Sequence, residues 1–336
     1  MKIICSIGPK VNNKESIDKL IYAGADLLRF NFSHINYSNT YELIKYVKEK
    51  HNKIAILQDL AGNKIRVSKN FNCQYKVVEG DKVVFYKERN RINEKSNEKD
   101  RSYYIPLSIQ GDISLLNSAE KIYMKDGTME FNIINKRRDW IETVVTKGGI
   151  IRREKGVNVP GIDRSFMGLT EKDKKDIIWG LKRGVDIICL SYACYGDNMR
   201  ELKEFINKNS FGRKVELWAK VESKEGIDNF DDILKESDGI MIGRGDLISE
   251  VDYIDIPKIQ NDVIAKMNGT NKKLIIATYI LDSMKKNSKP TLSEISDVYN
   301  FVKQGVYGIM LAGEVSIGWK PELTVSTTKE LIERYL

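Results

Sequence analysis

The chain of 336 residues is long for one ordinary domain and short for three, and its 41% hydrophobic residues suffice for a large core. No apolar run approaches the roughly 18 residues that cross a bilayer, so an integral membrane protein is excluded. Lys and Arg outnumber Asp and Glu by 55 to 47, which gives a net charge of +8. Because positive and negative charges are mixed along the predicted helices, they favour an ordinary solvated surface over a nucleic-acid-binding surface. The positive net charge is equally compatible with an anionic small substrate.

The cysteines and histidines narrow the class of protein further. The four cysteines include no CxxC pair, and Cys5 and Cys189 lie in strand-like apolar runs, so we expect reduced, buried thiols in a cytoplasm. The two histidines, His34 and His51, are too few for a His-rich zinc site. The N-terminal segment KIICSIGPK is interrupted too early to be a signal peptide.

Short apolar runs alternate with helix-period segments along most of the chain. Eight runs are predicted to be strands, at residues 2–7, 25–30, 53–59, 186–191, 215–221, 239–243, 273–278 and 307–313. Helices are predicted near 14–23, 39–50, 171–183, 197–208, 225–236, 258–268, 293–304 and 322–335. Eight successive βα units favour an α/β fold of the (β/α)8 TIM-barrel type over a doubly wound sheet.

The alternation stops between residues 67 and 160. This stretch has Gly-containing turns between alternating Val, Ile, Tyr and Phe, as in WIETVVTKGG, and predicts a small antiparallel β domain inserted after the third strand. The barrel then comprises residues 1–66 and 161–336, and the insertion is a lid. Residues 90–101, rich in charged and polar side chains, are predicted to form its mobile tip.

Charged and polar residues stand at the carboxyl ends of most predicted strands, where a barrel of this type places its active site. They are Arg29, Asn31, Ser33, Asp59, Lys220, Glu222, Arg244, Asp246, Thr278 and Glu314. Each taken alone is also compatible with a structural role, such as a helix cap for Asp59. Because they converge on one face of the barrel, we interpret them together as a site.

Two carboxylates and a lysine carry the chemistry of this predicted site. Glu222 and Asp246 have no histidine companion and therefore favour a hard cation such as Mg²⁺. Lys220 precedes Glu222 by two residues on one strand, so both point to the same face. A lysine there fits stabilisation of a transferring phosphoryl group, and the rival hypothesis is a Schiff-base lysine as in an aldolase. Adjacent carboxylates keep a lysine protonated, which weakens the rival.

A succession of motifs then resembles the pyruvate kinase family over nearly the whole chain. The motifs, in order, are IICSIGPK (3–10), RFNFSH (29–34), DLAGNKIR (59–66), KDGTMEF (125–131), KGVNVPG (155–161), LTEKDKKDI (169–177), AKVES (219–223), DGIMIGRGDL (238–247), ATYILDSM (277–284), KPTLSEISDV (289–298) and MLAGEVSIGWKP (310–321). The resemblance implies the same barrel with its inserted lid.

The resemblance also implies roles for individual residues. Glu222 and Asp246 would bind Mg²⁺ or Mn²⁺, Lys220 and Arg29 would neutralise the phosphoryl group, and Gly245, Asp246 and Thr278 would hold the substrate carboxylate. Thr278 would also lie near the face on which the enolate is protonated. Asn31, Ser33 and Asp59 match the shell of a monovalent cation, while Pro9, Asn31, His34, Arg66 and Lys155 match nucleotide-side positions.

The implied function is Mg²⁺-dependent transfer of a phosphoryl group from phosphoenolpyruvate to ADP, giving pyruvate and ATP. The alternatives are a pyruvate-kinase-like paralogue that uses another acceptor or another enol or 2-keto acid, and a catalytically poor ligand-binding protein. We expect a cytoplasmic enzyme with no nucleic-acid or membrane partner, and a homo-oligomer stays open.

Leu60 and Lys64 stand where most members of the family have Thr and Glu, a combination similar to its K⁺-independent branch. The tethered ammonium of Lys64 would replace the free cation, so we expect no K⁺ requirement.

The sequence departs from the family pattern at further positions, several of which lie near the predicted active face. They are Cys194 for Arg, Gly243 for Ala, Asn261 for Lys, Tyr279 for Gln, Leu292 for Arg and Ala312 for Ser. The sequence ends after the eighth predicted helix, so the family's C-terminal regulatory domain is expected to be absent, together with activation by sugar phosphates.

Overall fold

The structure is a computed structural model that describes residues 1–89, 96, 99–210 and 212–336. Its first five elements are β1 (Lys2–Ile7), α1 (Lys14–Ala23), β2 (Leu27–Asn31), α2 (Tyr37–Lys50) and β3 (Ala55–Asp59). Helix α1 begins at a capping box, in which the Asn13 side chain accepts from Ser16 N at 2.9 Å and Ser16 Oγ accepts from Asn13 N at 3.2 Å. Gly24, at a φ of 121°, ends it.

Within the described residues, nine short strands form the inserted β domain. They are β4 (Arg66–Val67), β5 (Gln74–Val77), β6 (Lys82–Lys87), β7 (Ser102–Ser108), β8 (Lys121–Met124), β9 (Met129–Lys136), β10 (Trp140–Lys147), β11 (Gly149–Arg152) and β12 (Val157–Asn158). Seven of them form one sheet in the order β12-β8-β9-β10-β6-β7-β4, and β11 pairs with β5. This domain has its own apolar core, in which the rings of Phe85 and Phe131 pack edge to face with their centroids 5.4 Å apart.

The remaining elements return to the alternation of helix and strand. They are α3 (Glu171–Leu181), β13 (Ile187–Leu190), α4 (Gly196–Asn209), β14 (Glu216–Val221), α5 (Lys224–Asp228), α6 (Phe230–Glu236), β15 (Gly239–Gly243), α7 (Arg244–Leu247), α8 (Ile256–Met267), β16 (Lys273–Ala277), α9 (Leu292–Lys303), β17 (Gly308–Leu311), α10 (Gly313–Ser316) and α11 (Pro321–Tyr335).

Eight parallel strands close into a barrel, as predicted. Their order is β1-β17-β16-β15-β14-β13-β3-β2, and β1 closes the ring by pairing with both β17 and β2. Ile4, Leu57, Trp218 and Met241 belong to a buried cluster contributed by the barrel strands, and a larger apolar cluster includes residues of both strands and helices. The (β/α)8 fold predicted from the sequence is therefore confirmed.

Two local features differ from the prediction. The helix expected over 225–236 is broken into α5 and α6 at Asn229, whose side-chain amide donates to Glu225 O at 2.9 Å and Cys194 O at 3.0 Å. These bonds tie Asn229 to a carbonyl of α5 and to the segment that precedes α4, and so fix the break. In the β domain, β6 and β7 pair in parallel within a sheet predicted to be antiparallel.

All four cysteines are free, and Cys5, Cys189 and Cys194 are buried. Within the described residues, no helix is both long and apolar enough to cross a membrane. Most of the predicted polar tip at 90–101 lies outside the described residues.

Candidate active site

A cavity of about 240 Å³ lies at the carboxyl ends of β14 to β17. It is lined by residues that the sequence had singled out, namely Lys220, Glu222, Gly243, Gly245, Asp246, Thr278, Tyr279, Ala312 and Glu314. Further lining residues had no such signal, namely Asp126, Asp282, Lys285 and Gly313. The barrel geometry therefore brings the predicted strand-end residues of its second half into one place.

Lys220 lies between two buried carboxylates. Its Nζ is 2.8 Å from Glu222 Oε2 and 4.0 Å from Asp59 Oδ2. Burial by itself would lower the pKa of Lys220, but the charges of Glu222 and Asp59 outweigh it and raise that pKa above its ordinary value. A raised pKa favours the charged ammonium at neutral pH. This supports electrostatic stabilisation of an anion over Schiff-base chemistry, which requires a neutral amine.

Glu222 is almost fully buried. Its Oε1 accepts from Tyr192 N at 3.2 Å. The Lys220 ammonium lies 2.8 Å from Oε2 and forms an ion pair with it. Burial raises the pKa of Glu222, and Lys220 opposes that effect. The buried carboxylate is therefore held by one backbone N–H and one ammonium.

Asp246 faces the same cavity from α7. Its Oδ1 accepts hydrogen bonds from the Lys64 ammonium and, at 3.3 Å, from Asn158 Nδ2. Burial would raise the pKa of Asp246, but Lys64 and Lys220 hold it below its ordinary value. This carboxylate is therefore ionised at neutral pH.

The two carboxylates fit a hard divalent cation. In the part of the chain that the structure describes, no three His, Cys, Asp or Glu side chains form a metal-binding group. Mg²⁺ commonly takes one or two protein carboxylates and completes its shell with water and substrate oxygens. Glu222 and the ionised Asp246 both line the cavity and offer two such carboxylates.

Thr278 directly follows β16 in a left-handed backbone conformation, with a φ of 67°, and Tyr279 has a φ of 54°. Thr278 Oγ1 accepts from Gly245 N at 2.8 Å. Arg244 donates to the carbonyl oxygens of Thr278 and Tyr279 at 2.7 and 2.8 Å and supports this turn. The Gly245 N–H, which the sequence offered for a substrate carboxylate, thus binds Thr278 in this structure.

Arg29 and the predicted cation-shell residues lie on the β2–β3 side of the barrel. Arg29 Nε donates to Asp59 Oδ2 at 2.9 Å, and Ser191 Oγ donates to Asp59 Oδ1 at 3.0 Å. Asn31 Oδ1 accepts from Ser33 N at 3.0 Å. Asp59 thus pairs with Arg29 and lies 4.0 Å from the Lys220 ammonium, and Ser33 Oγ accepts from Arg66 at 3.0 Å.

A second cavity of about 280 Å³ is lined by His34, Arg152, Arg153, Glu154 and Lys155. Two predicted nucleotide-side residues, His34 and Lys155, therefore meet there. Arg66 borders this region, because it donates to Glu154 O at 3.2 Å and to Ser33 Oγ at 3.0 Å. Pro9 is exposed and is not among the lining residues of either cavity.

Two departures from the family pattern shape the first cavity. A Cβ atom at Gly243 would approach Glu222 Oε2 to 2.7 Å, so the observed position of this carboxylate requires glycine there. Tyr279 Oη donates to Asp126 Oδ2 at 2.9 Å and connects the barrel to the turn between β8 and β9.

Asn158 and Tyr192 also belong to the site, although the sequence did not single them out. Asn158 Nδ2 donates to the Tyr192 hydroxyl at 2.7 Å, and the Tyr192 ring lies 5.7 Å from the Lys64 ammonium. Their only sequence signal is the place of Asn158 within the KGVNVPG motif and of Tyr192 two residues before Cys194.

The fold and the site together define a (β/α)8-barrel protein with a lysine beside a two-carboxylate site at the carboxyl ends of its strands. A family model described as pyruvate kinase, barrel domain, matches residues 1–325. The chain belongs to the pyruvate kinase family.

Curated pyruvate kinases resemble the chain over nearly its whole length. The chain is 35% identical to the pyruvate kinase of Sporosarcina psychrophila, and the match covers 97% of this chain and 55% of the relative. It is 34% identical to the pyruvate kinase of Geobacillus stearothermophilus, with 99% of this chain and 56% of the relative covered. It is 32% identical to the pyruvate kinase of Staphylococcus aureus strain MRSA252, with 98% of this chain and 56% of the relative covered. The chain thus spans about half the length of these relatives.

Proposed function

We propose that the chain catalyses Mg²⁺-dependent phosphoryl transfer from phosphoenolpyruvate to ADP. The observation that carries the proposal is the buried, charged Lys220 beside Glu222, with Asp246 lining the same cavity. The bond from phosphorus to the enol oxygen breaks as a bond to the β-phosphate oxygen of ADP forms. The resulting enolate takes up one proton and becomes pyruvate.

In this proposal the side chains mainly position charge. Lys220 lies where it neutralises the phosphoryl group in transfer, and Arg29, on the other side of Asp59, binds the same phosphate. Thr278 borders the cavity in which the substrate carboxylate and the enolate carbon lie. Such preorganised charges reduce the barrier without covalent chemistry.

Glu222 and Asp246 would hold Mg²⁺ or Mn²⁺, and the bound ion would neutralise substrate oxygens. The presence of both carboxylates in one cavity supports this role. Because the Lys64 ammonium binds Asp246 Oδ1, a tethered positive charge already lies at the site, and we propose that K⁺ is not required.

The second cavity is proposed to receive the phosphates of ADP and ATP. Lys155, Arg152 and His34 line it, and Arg66 lies at its border. Burial and the neighbouring Arg66 lower the pKa of His34, so it serves there as a neutral hydrogen-bonding group. For Pro9, a nucleotide-side role is supported only by its place in the IICSIGPK motif. Residues 67–160 are proposed to act as a lid that excludes water.

A coupled assay tests the proposal. Pyruvate release from phosphoenolpyruvate is followed with lactate dehydrogenase, Mg²⁺ and a panel of nucleoside diphosphates. Turnover with ADP supports the proposal. Turnover that requires another acceptor indicates the paralogue hypothesis, and binding of phosphoenolpyruvate without turnover indicates the ligand-binding hypothesis. The free, buried thiols support a cytoplasmic location for this activity.

A further inference from the structure

A buried cluster of charges lies where the chain returns from the β domain to the barrel. Arg164, between β12 and α3, is only 3% exposed. Its Nη1 donates to Glu225 Oε1 at 2.6 Å, and its Nη2 donates to Glu250 Oε1 at 3.1 Å. Nη2 also donates to Val159 O at 3.1 Å, within the same returning segment. One guanidinium thus joins this segment to two carboxylates of the barrel.

The amide of Asn158 connects the cluster to the proposed metal site. Asn158 Nδ2 lies 3.3 Å from Glu250 Oε1 and 3.3 Å from Asp246 Oδ1. Asn158 belongs to β12, which pairs with β8 in the β domain. Arg164 is therefore linked to a proposed metal ligand through Glu250 and Asn158, and these residues also connect the two domains.

The charges of this cluster are not balanced, so the cluster is poorly suited to a purely stabilising role. One guanidinium faces two carboxylates, and Oε2 of Glu225 has no hydrogen-bond partner among the described residues. Burial raises the pKa of Glu250 to about 7, although Arg164 opposes this effect. Buried ion pairs of this kind contribute little net stability compared with apolar packing, but they hold their members in fixed directions.

We propose that Arg164 is a positioning residue for the metal site. By binding Glu225 and Glu250, it fixes the returning segment and, through Glu250 and Asn158, the direction of the Asp246 carboxylate. The inference rests on the proposed function, because it takes Asp246 as a metal ligand. Groups that orient a metal ligand in this way typically change metal affinity by about 10- to 100-fold when they are removed.

The test is Mn²⁺ binding to the full chain without substrates, measured from the electron paramagnetic resonance of free Mn²⁺. Arg164→Met is expected to weaken binding by about tenfold or more, and Arg164→Lys, which keeps a charged donor, to lose less. Arg200→Met is the matched control, because Arg200 lies on the exposed face of α4 and pairs with Asp197 and Glu236. Near-UV circular dichroism establishes that each variant is folded.

A second pair of variants covers the case in which Arg164→Met does not fold. Glu250→Leu leaves a balanced Arg164–Glu225 pair but breaks the link to Asn158, so it is expected to weaken Mn²⁺ binding by a similar factor. Glu250→Gln keeps the acceptor and is expected to bind within about threefold of the unsubstituted chain. Normal Mn²⁺ affinity in folded Arg164→Met, or in Glu250→Leu, would overturn the inference. Failure of the unsubstituted chain to bind Mn²⁺ would instead refute the proposed metal site.

Discussion

Lys220→Met removes the charge at the centre of the proposed site. In the structure, the ammonium lies 2.8 Å from Glu222 Oε2 and 4.0 Å from Asp59 Oδ2. Asp59 keeps its pairing with Arg29, whereas Glu222 loses the lysine beside it. The substitution therefore leaves one uncompensated carboxylate at the position proposed for the metal.

The magnitude of the effect follows from these distances. At an effective dielectric constant of about 20, two unit charges 4 Å apart interact by about 4 kcal/mol. An interaction of that size with the phosphoryl group in the transition state corresponds to a loss of about 10³-fold in kcat. Metal binding should be retained, because the divalent cation supplies the positive charge that Glu222 has lost. We therefore expect kcat to fall while the Mn²⁺ dissociation constant changes little or improves.

The assay combines the lactate dehydrogenase-coupled rate with Mn²⁺ binding to the same preparations. Lys266→Met serves as the control, because Lys266 pairs with Asp231 on the exposed surface. A kcat for Lys220→Met within a few-fold of the unsubstituted chain would refute the role assigned to Lys220. A parallel loss of Mn²⁺ binding would show that the lysine acts on the metal site instead.

Three further predictions follow from the same cavity and its surroundings. Glu222→Gln and Asp246→Asn each remove a hard anionic ligand and should raise the Mg²⁺ concentration needed for half-maximal rate by about tenfold or more; full activity in excess EDTA would contradict the metal argument. The unsubstituted chain should be equally active in K⁺ and tetramethylammonium buffers at matched ionic strength, and Lys64→Glu should create K⁺ dependence; a tenfold activation of the unsubstituted chain by K⁺ would refute this role of Lys64. The pKa of Glu250 is raised from 4.5 to about 7 in the native state, so between these pH values the native state holds a proton that the unfolded state has lost. The native state therefore loses stability as the pH rises from 4.5 to about 7. Over this pH range, the melting temperature of Glu250→Gln should increase relative to that of the unsubstituted chain, and a melting-temperature difference that does not vary with pH would argue against a buried, titrating Glu250.

The sequence predicted the barrel because its signals are local. Each strand is a short apolar run and each helix has its own period, so β1 and β15 were predicted with the bounds that the structure shows. The sequence also predicted that several polar residues at strand ends lie together, because parallel strands in a closed barrel present their carboxyl ends at one face. These residues are Lys220, Glu222, Asp246 and Thr278. The resemblance in motif order then indicated the family, which the matching family model confirms.

Contacts between the β domain and the barrel could not be predicted from such local signals. Tyr279 meets Asp126 across 153 residues of sequence, and Asn158 meets Asp246 across 88. No local period encodes such pairs, since they depend on how the inserted sheet sits against the strand ends. The break between α5 and α6 was missed for a similar reason, because the Asn229 amide that fixes it bonds to Cys194 O from another part of the barrel.

The sequence by itself therefore determined the number and order of the barrel strands, the face at which their carboxyl ends meet, and the charged strand-end residues at that face. Only the tertiary structure decided how these charges are paired. It set the Lys220 ammonium 2.8 Å from Glu222 Oε2, placed the Lys64 ammonium on Asp246, and buried Arg164 between Glu225 and Glu250. The physical reason is that apolar periodicity acts along one element, whereas the pairing and the pKa of a buried charge depend on desolvation and on neighbours contributed by distant segments.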